Sequence, residues 1–424
     1  MIWIWIVAAV AISWLLCRKK AAWYHYIWML LPIEMYGVNI AGATLKPYMI
    51  FGLLIIITCF TKRKGTRIPV GIFFCAFALM VSDILNGLVT ASIMQHLMFL
   101  FILYIAYNYT LLAQEDDHFV DDLRNVTIAT TVGYGLVFTV TYILYILHPE
   151  FPGIYTADRY SAGMVLRFMS TGGVSIVRFR GFCIDPNSVI TTLIPGTAFA
   201  LQSLIYEKKN VCKSLLAVCV YSVVMIASGS RMAMMCTVLM LFVMLLTGYK
   251  QANNKGKWLL LLILLSMACA LVGVVNFQAI VYKISGFFNS RAGLNDSGGR
   301  FTIWKYNLQW LEENGRLLVG VGQNQIHNLT PIGKACHNTW LEWICGTGLL
   351  IGAGIDIWII LAPASIINYV KNNKVGLRNF IPIVLAYAIA MVCVTTVDNI
   401  TNSTILFLMV IFRYGDIYSK LNVC

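Results

Sequence analysis

Residues 1–20 read MIWIWIVAAVAISWLLCRKK. An apolar run ends in the basic triplet Arg18-Lys19-Lys20, with no basic stretch before it and no small-residue cleavage site behind it. That pattern reads as a first membrane helix with its cytoplasmic anchor, not as a removable leader. The same grammar, an apolar run closed by a short connection, continues along the chain. Runs fall near 2–16, 22–40, 46–60, 68–88, 93–113, 126–147, 186–206, 214–228, 231–248, 258–276, 340–364, 379–397 and 403–417. About 20 apolar residues cross roughly 30 Å of hydrocarbon as a helix. The chain is therefore expected to be an all-α polytopic membrane protein: one membrane domain over 1–424, with about 12 or 13 transmembrane helices.

Composition points the same way. The chain is 59% hydrophobic and 12% charged, with mean hydropathy +0.77. A soluble protein carries about 25% charged residues, so too little polar surface remains to face water all round. The net charge of +13 does not indicate nucleic acid, because the basic residues are dispersed among short connections. Five of these, with Arg18/Lys19/Lys20, Lys62/Arg63/Lys64/Arg67, Lys208/Lys209/Lys213, Lys250/Lys255/Lys257 and Lys371/Lys374/Arg378, fall on one side if the N-terminus is outside. The positive-inside rule makes that side cytoplasmic, as expected of a multi-pass inner (plasma) membrane protein. The 12 cysteines are scattered without a C-x-x-C pair and read as small hydrophobes. Cys183 and Cys336 lie near outer connections; a disulfide between them is the less favoured reading.

Two outer connections are long: 148–185, carrying Arg159, Arg167, Arg178 and Arg180, and 277–336, carrying Arg291, Arg300 and Arg316. Arginine is disfavoured in translocated loops, so its presence there calls for a task. Ser228-Gly229-Ser230-Arg231 precedes a helix that re-enters the membrane, where N–H groups, helix dipole and guanidinium all suit an anion. The plainer reading of Arg231 is a snorkelling interfacial side chain. Ser297-Gly298-Gly299-Arg300 repeats the design ahead of an outer-face interfacial helix, with apolar residues at 301, 304, 308 and 311 and a stop at Gly315. The plainer reading of Arg300 is a surface residue beside a flexible turn. His337, in Cys336-His337-Asn338-Thr339-Trp340-Leu341-Glu342, is read as opening the next inward helix and as a candidate proton acceptor. Asp185 reads as an N-cap with Pro186 at the first helical position. Arg178 and Arg180 divide evenly between holding an anionic or sugar ligand and anchoring the interface.

Other chemistries find less support. The six histidines form no H-x-x-x-H and no carboxylate cluster faces out, so no metal or other cofactor is expected. G-x-S-x-G is absent, which disfavours a serine hydrolase. Glu34, Asp83, Asp356 and Asp398 read as isolated, which counts against an ion-coupled transporter.

Gly229-Ser230-Arg231, Gly299-Arg300 with Trp304, Gly320-Val321-Gly322, and His337 to Glu342 followed by Gly346, Gly348 and Gly352 together resemble the O-antigen ligase/polymerase family. The motif resemblance covers roughly 225 to 365, and the layout with a large late outer loop covers the whole chain. It implies a GT-C-like, metal-independent membrane glycosyltransferase that uses undecaprenyl-diphosphate-linked oligosaccharide on the outer face. Arg231 and Arg300 match the family's diphosphate-binding arginines, and His337 matches the histidine proposed to deprotonate the acceptor. Cys336 stands where the family often has His or Ala.

The function expected is a polysaccharide polymerase for O-antigen, capsule or exopolysaccharide. The close alternatives are an O-antigen ligase acting on lipid A-core and an oligosaccharyltransferase acting on protein. A transporter or flippase of lipid-linked sugar is the alternative of another class. Chain-length regulator and flippase proteins are the expected protein partners, alongside the bilayer.

Overall fold

A computed structural model describes residues 2–17, 21–40, 43–62, 68–151, 154–156, 163–169, 175–207, 210–251, 300–366, 381–395 and 399–414. The expected span at 258–276, most of the 277–299 approach to Arg300, and Asp398 lie outside the described residues.

The chain is mostly helical and polytopic. Helices α1 (Ile2–Leu16), α2 (Ile27–Leu30), α3 (Pro47–Thr61), α4 (Val70–Leu85), α5 (Thr90–Ala113) and α6 (Phe119–Leu147) form the first half. Helices α7 (Ser188–Gln202), α8 (Val211–Ser228) and α9 (Arg231–Gln251) follow. After the undescribed stretch come α10 (Arg300–Glu313), α11 (Thr339–Thr347), α12 (Leu349–Ile360), α13 (Ile381–Val394) and α14 (Ser403–Tyr414). Among the described residues four helices are long and apolar enough to cross a membrane: α5, α6, Ser188–Ile205 and α8. Shorter apolar helices accompany them. The solvent-side pattern is inverted relative to a soluble protein. Trp3, Ile4, Val7, Trp14 and Leu15 of α1 are exposed, as are Phe73, Phe74, Phe77 and Met80 of α4. Such apolar stripes suit a helix whose outer face meets lipid.

The second expected span is not a continuous helix. Residues 23–30 form a 3-10 turn (Trp23–Tyr26) and α2, and the chain then runs irregularly past Pro32 into a hairpin of β1 (Val38–Ile40) and β2 (Ala43–Leu45). The segment still travels the length of the bundle. Tyr24 Oη donates to Asp116 Oδ2 at 2.7 Å beside the end of α5, and Tyr134 Oη of α6 donates to the Met29 carbonyl at 2.6 Å. The Met35 N–H donates to the Phe182 carbonyl at 3.0 Å near the other end. Tyr24, Ile27, Trp28, Met29, Leu31 and Ile33 are all buried. Irregular backbone at membrane depth is tolerated only inside protein, and here protein surrounds it.

The connection at 148–185 holds structure that helical periodicity could not reveal. β3 (Tyr155–Thr156) pairs parallel with β4 (Val165–Met169), and β4 pairs antiparallel with β5 (Ser175–Phe179), with Leu166 opposite Arg178. The sheet sits on the end of α6, where Phe138 packs against Phe179 and Phe182.

The expected span 340–364 is broken. α11 ends at Thr347 and α12 starts at Leu349, with Gly348 between them at φ +87°. A Cβ on Gly348 would collide with the Leu318 carbonyl oxygen, and one on Gly320 with the Gly346 carbonyl oxygen. Main chain is laid against main chain here: Val321 N–H donates to Cys345 O at 3.0 Å, Gly322 N–H to Gly346 O at 2.9 Å and Leu349 N–H to Leu317 O at 2.8 Å. Gly348→Ala should therefore cost about 2 kcal/mol or more, through backbone strain and collision. Gly354→Ala on the open face of α12, where a Cβ meets nothing within 4 Å, should be neutral or slightly stabilising. Thermal unfolding of the two purified variants checks both.

Candidate functional site

His337 is held by the element that follows it and the element that precedes it. Asn338, not His337, caps α11: its Oδ1 accepts from the N–H groups of Trp340 at 3.0 Å and Leu341 at 3.3 Å. His337 stands one residue before that cap, half-buried, with a left-handed backbone at φ +49°. A non-glycine residue persists there only when its surroundings impose it. On the preceding side, Trp304 Nε1 of α10 donates to the Cys336 carbonyl at 2.7 Å. Asn307 Nδ2 donates to the Lys334 carbonyl at 3.3 Å. The Cys336 and Cys345 sulfurs lie 3.5 Å apart as free thiols. Cys183 belongs elsewhere, its sulfur 3.8 Å from the Pro32 carbonyl, so the structure pairs Cys336 with α11 and not with Cys183.

α10 is described from Arg300 and is followed by a turn at Gly315. Its inward stripe is Ile303, Asn307 and Leu311, with Trp304 and Leu308 beside them. Leu311 joins Val321, Ile326, Cys336 and Cys345 in one apolar cluster. Phe301 is 53% exposed, so that position of the expected stripe faces outward. The helix that carries Arg300 is thus fastened to the main chain next to His337.

The other arginine-bearing helix start is built at the turn between α8 and α9. Gly229 ends α8 with φ +59°. Ser230 Oγ accepts from the Ala233 N–H at 3.3 Å, and α9 starts at Arg231. Arg178 clasps this turn from β5. Its Nε donates to the Ser228 carbonyl at 2.7 Å and its Nη2 to Asn187 Oδ1 at 3.1 Å. Arg180 is fully buried, and its Nε donates to the Gly163 carbonyl at 3.0 Å. Ahead of α7, Asp185 Oδ1 accepts from the Asn187 N–H at 2.7 Å. The helix itself starts at Ser188 behind Asn187, so Asp185 shapes the turn and Pro186 precedes the helix instead of opening it.

A belt of buried polar side chains joins these parts, and most of it escaped the sequence reading. The Asn399 N–H donates to Thr339 Oγ1 at 3.2 Å, at the first residue of α11. The Asn399 side-chain amide donates to the Glu34 carboxylate. Asn402 Nδ2 donates to Thr191 Oγ1 of α7 at 3.1 Å. Glu34, read as isolated, is 4% exposed and engaged. Near it lies buried Lys46. Asn399 and Asn402 lie in the short connection between the last two apolar runs and carry no motif, so only their burial identifies them. Asp83 is also engaged: Oδ2 lies 2.9 Å from His96 Nδ1, and Oδ1 accepts from Ser92 Oγ at 2.9 Å. Ser92 Oγ in turn accepts the Gln323 N–H at 2.9 Å, and His96 stacks on Trp343 of α11 at 6.1 Å. This pair supports the loop on which α11 rests.

The structure therefore brings the α10 start to the His337 segment, and Arg178 to the start of α9, with the belt between them. At the opposite end of the bundle, ligand atoms of His25, Asp116 and Asp122 lie within 4.8 Å of one another. Hydrogen bonding already occupies all three. His25 Nε2 is 3.3 Å from Asp116 Oδ2, Tyr24 donates to the same oxygen at 2.7 Å, and the Ala22 N–H donates to Asp122 at 3.0 Å. His25 first, then Tyr24, hold the Asp116 carboxyl below its ordinary 3.8, against the opposing effect of burial.

Asn338→Ala should lower stability by about 1 kcal/mol through loss of the cap, while Asn338→Asp retains it; denaturant or thermal midpoints distinguish them. Because the folded pKa of Asp116 is depressed, its stabilisation is complete above pH about 4 and is lost as pH falls below that. Thermal unfolding between roughly pH 5 and 3 should therefore fall more steeply for the parent chain than for Asp116→Asn.

Residues 216–357 match the family model described as O-antigen ligase. No curated protein matches the chain. The matched segment runs from α8 through the Arg231 turn, α10 and His337 into α12. Over that segment the chain is similar to the O-antigen ligase family, which supports the resemblance read from its motifs.

Proposed function

We propose that the chain is a polysaccharide polymerase that transfers an undecaprenyl-diphosphate-linked glycan onto a lipid-linked repeat unit at the outer face of the inner membrane. The observation that carries the reading is the docking of α10 on the His337 segment through Trp304 and Cys336. That contact joins the helix that carries Arg300 to the segment that carries His337, within the stretch that matches the family model, and so supports the reading.

The reaction is a displacement at the anomeric carbon, with inversion. An acceptor hydroxyl gives its proton to His337 as its oxygen forms the new glycosidic bond. The bond from the anomeric carbon to the diphosphate oxygen breaks, and its electron pair leaves with the lipid diphosphate. Arg231 and Arg300 balance the charge gathering on that group. Arg178 holds the turn ahead of Arg231 by gripping the Ser228 carbonyl, and Arg180 secures the sheet that carries Arg178. A ligase using the same donor and a different acceptor would share every one of these steps. Chain-length regulator and flippase proteins are the partners that a polymerase in this position would meet.

Purified full-length protein should elongate a lipid-diphosphate oligosaccharide without an energy source, and equally with a chelator present. His337→Ala and Arg300→Ala should each reduce transfer at least about a hundredfold while the protein inserts and purifies normally. Full activity in a well-folded His337→Ala protein overturns the base assignment. In cells, deletion should leave surface glycan capped at one repeat; long chains retained on the lipid carrier would identify a ligase instead.

A further inference from the structure

The ends of α1, α6, α7 and α8 enclose a partly open cleft of about 710 Å³ at the end of the bundle that carries the basic connections. α8 separates it from the Arg178 site, since Ser228 closes that helix at its far end. Eighteen residues of helix span about 27 Å, so the cleft is a different place from the transfer site.

Two cations and one carboxylate line it. Arg124, its side chain 10% exposed, has Nη1 3.5 Å from Oδ1 of Asp121, whose side chain is 53% exposed. Lys213 Nζ donates to Leu16 O at 3.0 Å, Asn125 O at 3.3 Å and Asn125 Oδ1 at 2.7 Å. Both amines are therefore held in place at the rim. The first turn of α8 opens on the same space through Asn210, Val211, Cys212 and Lys213. Asn210 makes no side-chain capping bond there, so the positive end of α8 adds to the two side-chain charges. The walls are aliphatic, with Leu16, Ile128 and Leu216 among them.

We propose that this cleft binds an anionic phospholipid of the leaflet on the basic side, its headgroup phosphate between Arg124 and Lys213 and its acyl chains along the aliphatic wall. A soluble anion would use the charges and leave the wall unused. A zwitterionic lipid would fill the wall and bring its own cation to the rim. Only an anionic lipid matches both. Asp121 does not compete strongly, because an ion pair with an exposed carboxylate is weak.

The test is native mass spectrometry of the full-length protein titrated with phosphatidylglycerol, phosphatidylcholine or inorganic phosphate. Each basic residue contributes about fivefold to attraction of an anionic lipid, so phosphatidylglycerol should bind roughly 25-fold more tightly than phosphatidylcholine. Arg124→Gln and Lys213→Gln should each reduce that preference about fivefold, and Lys213→Arg should keep it. Leu216→Trp leaves both cations and their contacts intact, fills the cleft from a side chain exposed at 39%, and should weaken both lipids. It keeps the test open should a charge variant misfold. Equal binding of the two lipids, a preference unchanged in Lys213→Gln, affinities for both lipids unchanged in Leu216→Trp, or full displacement of phosphatidylglycerol by millimolar inorganic phosphate would overturn the proposal.

Discussion

The far end of this bundle depends on main chain packed directly against main chain. Residues 317–323 lie along 344–349 so closely that side chains are excluded at Gly320 and Gly348, and three backbone hydrogen bonds join the two strips. That seam breaks what would otherwise be one membrane helix into α11 and α12. It gives α11 a free, capped N-terminus at Asn338, and it places His337 just beyond that terminus in a backbone conformation histidine rarely adopts. The α10 helix then closes on the same segment through Trp304. Without the seam, 340–364 would be an ordinary span and His337 an ordinary interfacial residue.

What could be read in the sequence follows from how each feature is encoded. The membrane architecture was legible because apolar runs and basic connections are long, repeated signals. α10 was legible because Gly315 and a helical apolar stripe mark its end and its face. The glycines at 320, 346 and 348 were recognisable as a pattern, but their reason, the seam, involves residues some 25 positions apart. Asn338 was passed over in favour of its neighbour His337, since both stand at a helix start and only geometry decides which one caps. Glu34 was seen only as isolated, and Asn399 and Asn402 stand in a short polar connection without a motif; the partners that engage them lie hundreds of residues away. The outer sheet was missed because five-residue strands leave little periodicity to detect.

The two ends of the bundle are built on different principles. At the far end, arginines are tied to carbonyls and amides: Arg178 to Ser228 and Asn187, Arg180 to Gly163. These contacts shape the helix start at which Arg231 stands. At the basic-loop end, carboxylates and aromatics make a compact network around His25 and Asp116, which secures the broken segment 23–40. The polar groups of one end are arranged around helix beginnings, and those of the other around a segment that lacks a continuous helix.

That broken segment has a consequence for biogenesis. A continuous apolar helix satisfies its own backbone and can rest in lipid as soon as it is made. Residues 23–40 do so only in part: the Met29 carbonyl accepts from Tyr134 of α6 and the Met35 N–H donates to the Phe182 carbonyl, both synthesised later. During synthesis α1 can take its place at once, whereas the next stretch must wait, sheltered or unsettled, until Phe182 has been made. The partners of this segment are therefore complete only once the chain has been made as far as Phe182, after α6 and before α7.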